Sequence, residues 1–201
     1  MGPAITTMGI CFVAYSVSPE NLATVRADPA LIWRVLESED DSAYLRQLAE
    51  DNKTSLLQRL FGKKKAPASP KPLTFDESEL NVLDLDKSWD GLRHCIKLCA
   101  PDAPDFFEGE GQIGSIEVGY GPALFTESDT VARYSQALGC VSEDTLLETL
   151  RTADFEGIYL DGFWNRQDED ARSYLVENFR VLRSFVAHCA SHGQAAILQF
   201  T

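Results

Sequence analysis

The chain has 201 residues, 44% hydrophobic and 24% charged, a composition suited to one globular domain with its own core. Its 31 acids against 18 Lys and Arg leave a net charge of −13, and residues 102–170 hold 16 acids against three bases, so that segment carries the whole imbalance. A field of that sign repels phosphate backbones and anionic membranes, which argues against nucleic-acid binding, and no span of ~20 apolar residues suggests a membrane helix.

In chain order, residues 9–17 (GICFVAYSV) are apolar and β-branched enough for a buried strand. Ser18-Pro19-Glu20 then opens a helix to about residue 26, with serine as cap and proline in the first turn. A second helix follows Asp28-Pro29, and a third fits residues 42–60 on the stripe Leu45, Leu48, Leu56, Leu57 and Leu60. Residues 62–72, GKKKAPASPKP, are basic and proline-rich and are expected to form an exposed linker. Residues 1–7 suggest a disordered extension ahead of Met8, which competes with Met1 as the natural start.

Past the linker, a helix is predicted over 86–99, with Trp89, Leu92, Ile96 and Cys99 on one face. Residues 100–112 are turn-rich, 115–120 alternate as a strand, and 126–138 form a helix capped by Thr126 or Ser128. A capped helix spans 142–150, a short strand and a loop occupy 155–164, and the longest helix covers 168–192. Gly193 ends it and QAAILQF closes as a strand. Helices and strands mix without regular βαβ alternation, so the expected fold is α+β: several helices packed on a small mixed sheet in one domain, residues 8–201.

Residues 109–114, GEGQIG, match the spacing of a dinucleotide phosphate loop. That loop needs a buried strand before it and a helix after it. Here an acidic turn precedes and a strand follows, so the match is spurious. In GYGP, Gly119 and Gly121 allow a tight turn that either reverses the chain or displays Tyr120 at a cleft. His188 and His192 stand one helical turn apart but lack further ligands, and read as a helix carboxy-terminal cap; His94 is expected to face water. Five scattered cysteines, an odd number, argue for a reducing, cytoplasmic setting rather than a disulfide framework, and none stands out as a nucleophile. No cofactor or metal is expected.

The most suggestive constellation is aromatic and acidic: Asp86, Trp89 and Asp90 at a helix start, Tyr120 in the glycine turn, and Asp161 with Trp164 in LDGFW. Convergence would give a pocket with stacking faces and carboxylates; alternatively the tryptophans are core and the aspartates cap helices. Glu108, Glu110 and Glu117 mark a candidate acidic face.

Taken together, MGICFVAYSVSPE, LDLDKSWDGLRHCI, GYGPALFTESD and IYLDGFW, followed by a long helix and QAAILQF, resemble the YfbM-like family of bacterial proteins over most of residues 8–200. The resemblance implies a single α+β domain of unknown function and brings no catalytic residues. The functional expectation is a non-enzymatic acidic module that engages a basic protein, such as an immunity-type inhibitor of a toxin. The alternative is a small-molecule-binding protein or enzyme using the aromatic and acidic pocket.

Overall fold

The structure, a computed structural model, describes residues 9–37, 42–59 (backbone alone from 51) and 73–201. The expected 62–72 linker, the 1–7 extension and the side chains of Leu56, Leu57 and Leu60 lie outside the described residues.

Among the described residues five strands form one sheet: β1 (Phe12–Val17), β2 (Val82–Asp84), β3 (Gly111–Glu117), β4 (Pro122–Thr126) and β5 (Ala195–Phe200), in the order β2-β1-β5-β4-β3. Every pairing is antiparallel, so the sheet is not mixed as expected. The long helix before β5 returns the chain against the direction of both β1 and β4, which alternation of elements in the sequence does not reveal.

Helices cover both faces. Phe12 and Ala14, with Leu83, Ala196 and Leu198, point into the larger buried cluster, which holds the apolar sides of α4 (Trp89–Cys99), α5 (Ser128–Gly139), α6 (Glu143–Thr152) and α8 (Glu169–His192). The alternate residues, including Val17, Ala123, Phe125, Ala195 and Ile197, meet α1 (Pro19–Ala27), the turn at Pro29–Leu31, α2 (Ile32–Leu36) and Tyr44 of α3 (Ser42–Arg59). Side chains alternate across each strand, so one strand serves two cores.

Local chemistry explains most helix boundaries. Ser18, Ser142 and Asp168 each accept a hydrogen bond from the backbone N–H three residues on, and Gly193 ends α8 in the left-handed conformation at φ 63°. The start of α5 differs from expectation, since neither Thr126 nor Ser128 caps it. Glu110, just before β3, accepts from Glu127 N at 2.6 Å and Thr130 Oγ1 at 2.9 Å. Residues 155–164 also differ: Leu160, at φ 63°, turns the chain into the short helix α7 (Asp161–Trp164) instead of a strand.

Gly91 in α4 is fixed by a close approach, because a Cβ there would meet the Trp164 indole. Alanine gains about 1 kcal/mol of helix propensity over glycine, whereas overpacking a buried site costs about 1–3 kcal/mol or more. Overpacking wins because the obstacle is a rigid ring with no exposure. Gly91→Ala is expected to lower the melting temperature, and an unchanged or raised value in calorimetry would contradict this packing.

Candidate functional site at one end of the sheet

Antiparallel pairing brings the start of β1, the ends of β2 and β5 and the β3–β4 turn to one end of the sheet. Most of the residues singled out from the sequence gather here, although not as an open pocket. The space is filled by residues 9–11. Ile10 donates its N–H to the Tyr159 hydroxyl at 3.1 Å, and its carbonyl accepts from Trp89 Nε1 at 3.0 Å. Trp89 stacks on Tyr159 with centroids 6.3 Å apart and meets Phe200 edge-on at 4.9 Å. Cys11 continues the ladder to Thr201 through two backbone bonds of 2.7 and 3.0 Å.

Asp86 sits beside this clasp at φ 45°, an uncommon conformation for a residue with a side chain. Its N–H donates to Asp84, and its two carboxylate oxygens accept from the Cys11 thiol at 3.3 Å and the Tyr174 hydroxyl at 2.8 Å. Partial burial works to raise the Asp86 carboxyl, but the bonds from Tyr174 and Cys11 outweigh it and hold the group below its ordinary range. The same contacts act in reverse on the donors. Burial and then the Asp86 bond push both the Cys11 thiol and the Tyr174 phenol upward, so both stay protonated near neutral pH. That chemistry suits fixed donors to an ionised carboxylate and works against Cys11 as a thiolate nucleophile.

Asp90 accepts from Tyr159 N at 2.8 Å and so holds the loop that carries the tyrosine. Trp164 is fully buried, stacked between Phe155 and Tyr174, with its Nε1 bonded to Tyr159 O at 2.9 Å. It therefore packs behind the clasp and offers no face to a ligand. Asp161 is exposed and accepts only a local bond, from Gly162 N. Tyr120 is 55% exposed at the tip of the β3–β4 turn, its N–H donating to Phe200 O at 2.8 Å. Gly119 beside it is required, since a Cβ would collide with the Phe200 carbonyl.

The three glutamates of the candidate acidic face are not equivalent. Glu108 is exposed and 3.6 Å from Arg93, Glu110 is committed to the α5 start, and Glu117 lies exposed at the far end of β3, beyond the irregular stretch that begins at Gln112. His94 does not face water as expected: its ring packs on Phe155, and its buried Nε2 has no hydrogen-bond partner among the described residues. His192 Nδ1 lies 2.9 Å from His188 O at the end of its own helix, as a cap would, whereas His188 does not cap: its half-buried Nε2 lies 2.8 Å from Ser78 O and ties the helix to a distant loop. Among the described residues no three His, Cys, Asp or Glu side chains are placed to share a metal ion. The GEGQIG stretch runs directly into β3, and the next helix is α5.

Sequence reading missed Tyr159, Tyr174, Phe200 and the backbone of Ile10. Only aromatic enrichment around residues 155–164 hinted at them.

The fold is an α+β domain built on an antiparallel sheet flanked by helices. Residues 8–199 match the family model described as domain of unknown function DUF1877, and the chain belongs to that family. It is similar to the crystal structure of YfbM from Escherichia coli, a protein of unknown function, with a TM-score of 0.50 and 13% identity over 95% of this chain and 99% of that one. At that identity the likeness shows the fold alone. No curated protein matches.

Asp105 resembles Asp86 electrostatically: burial would raise its carboxyl, but Arg93 and Lys97 outweigh burial and lower it. A carboxyl lowered in the folded state contributes stability above its unfolded value of about 4, and that contribution is lost as pH falls through the folded value. Urea midpoints should therefore decline on acidification below that value. Tyr174→Phe should be less stable than wild type near neutral pH and converge with it as the pH falls through the folded value of Asp86. Parallel pH curves would show that the Tyr174–Asp86 bond does not set the acid response. In a separate comparison, Trp164→Ala should cost about 3–5 kcal/mol in urea unfolding, whereas Tyr120→Ala should stay within about 0.5 kcal/mol.

Proposed function

We propose that the protein is a non-enzymatic binding module whose acidic surface engages a basic protein, the role of an immunity-type inhibitor of a cationic toxin being one such use. The observation that carries this reading is that the aromatic recess is filled by the chain's own residues 9–11, while the carboxylates face outward. Asp102, Glu117, Asp129, Asp144, Asp154 and Glu156 are all exposed. Of the three bases in residues 102–170, Arg151 is paired with Glu148 and Arg166 with Asp168 and Asp170, so little positive charge is left to offset them. Such a field speeds encounter with a cationic surface and rejects anionic ones. Free thiols at all five cysteines suit a cytoplasmic setting, and among the described residues no helix is long and apolar enough to cross a membrane.

A second reading, a small-molecule site at the end of the sheet, draws on the left-handed Asp86 with its shared thiol and phenol donors, since residues held in such conformations cluster at ligand sites. A neutral or cationic ligand would have to displace residues 9–11 to reach the Trp89 and Tyr159 faces.

Capture from lysate of the source organism separates the readings. A basic protein should be retained at low ionic strength and released at about 0.5 M salt, where screening reaches within a few ångströms. The double variant Glu117→Lys, Glu156→Lys should retain less of it. Salt-independent retention, or retention of acidic proteins only, would overturn the acidic-surface reading.

A further inference from the structure

The two edges of the sheet are treated differently. β3 is irregular between Gln112 and Glu117, and Pro29 packs onto Gly114, so bulging and coverage blunt that edge. Among the described residues β2 has neither protection and pairs only with β1, in the register Ala14↔Leu83. Leu85 N donates to Phe12 O at 3.0 Å, and Ser16 N donates to Asn81 O at 3.1 Å. Hydrogen-bonded positions alternate along an antiparallel strand, so Asn81, Leu83 and Leu85 are the residues whose backbone turns toward β1. The backbone N–H and C=O of Val82 and Asp84 consequently point out of the sheet.

Beside that open edge, between β2 and α8, runs a groove of about 490 Å³ bordered by Asn81, Val82, Arg180, Val181, Ser184 and His188. Val82 is 53% exposed and Val181 45% exposed, two of the few large apolar side chains left in water. The cation on the groove wall is already engaged, because Arg180 is paired with Glu143 at 2.6 Å. Asp84 is exposed on the strand itself, and Asp86 follows it at the same end.

We infer that β2 is a docking edge on which an extended segment of a basic protein adds as a sixth strand, a lysine or arginine lying opposite Asp84 and an apolar side chain reaching toward Val181. Main-chain bonds to Val82 and Asp84 would supply affinity, and the alternating side chains specificity. Charge complementarity selects this occupant. A second copy of the chain would set Asp84 close to its own symmetry mate and bring together two molecules of net charge −13. The inference rests on the basic-partner reading and adds the place and mode of contact.

The test uses the full chain and a synthetic peptide of alternating valine and lysine, with a valine–glutamate peptide as control. On adding the lysine peptide, the Val82 and Asp84 amides should become protected from hydrogen exchange in NMR spectra, while the glutamate peptide should leave them unchanged. Val82→Pro removes an outward donor without touching a bond to β1, so it should keep the wild-type fold by circular dichroism and bind about tenfold more weakly, the equivalent of one hydrogen bond. Asp84→Asn should also weaken binding, mainly at low salt. Equal protection by both peptides, or full binding by a folded Val82→Pro, overturns the docking edge. So does a β2-mediated dimer detected by sedimentation. If Val82→Pro retains a basic protein as fully as wild type and in a salt-sensitive way, the edge inference falls and the acidic-surface reading stands. If wild type retains no basic protein at any salt, both fall.

Discussion

The last strand of the chain is the one the others depend on. β5 is hydrogen-bonded on both sides, to β1 and to β4, and Ala195 to Leu198 are completely buried between the two helical layers. Its small residues, Ala195 and Ala196, let helices from both faces approach, while Ile197 and Leu198 anchor one core each. Without β5 the sheet would split into the β1–β2 and β3–β4 pairs, each too small to be stable alone.

The same strand organises the candidate site. Phe200, at its end, receives the Trp89 ring and accepts the Tyr120 N–H, and Thr201 continues the ladder to Cys11. The aromatic and acidic side chains at this end consequently act first on the chain itself. Trp89 and Tyr159 fasten Ile10, Asp90 fastens Tyr159, and Asp86 ties the start of β1 to α8 through Tyr174. A recess lined with tryptophan, tyrosine and aspartate is often a ligand site. Here the geometry shows a lock on the entering strand.

The sequence is most readable where a structural decision is local. Ser18, Asp168 and Gly193 mark helix ends through bonds reaching only a few residues, and each stands where its chemistry predicts. It is least readable where distant chain makes the decision. Glu110 passes for surface charge until β3 is laid beside α5, and only then does it become that helix's cap. β4 follows a glycine turn too closely for its short apolar run to stand out, and only pairing with β3 and β5 reveals it as a strand. The apolar residues of 155–160 read as a short strand, but positive φ at Gly157 and Leu160 folds the segment into successive turns ahead of α7. Of the candidate residues, Trp89, Asp86 and Asp90 do meet, yet what they surround is backbone, which composition and motif spacing cannot forecast.

The position of β5 also bears on how the molecule is made. β1 is made before its principal neighbour, so that ladder cannot close until everything between Val17 and Ala195 has been synthesised. Such long-range closure slows folding and leaves apolar faces uncovered meanwhile. Until β5 arrives, Phe12, Ala14 and Val17 lack their neighbour on that side, and helices α1 and α2 have only part of a sheet to pack on. Until β5 has been made, the nascent chain is therefore expected to remain a collapsed, unfinished species that needs shielding from aggregation.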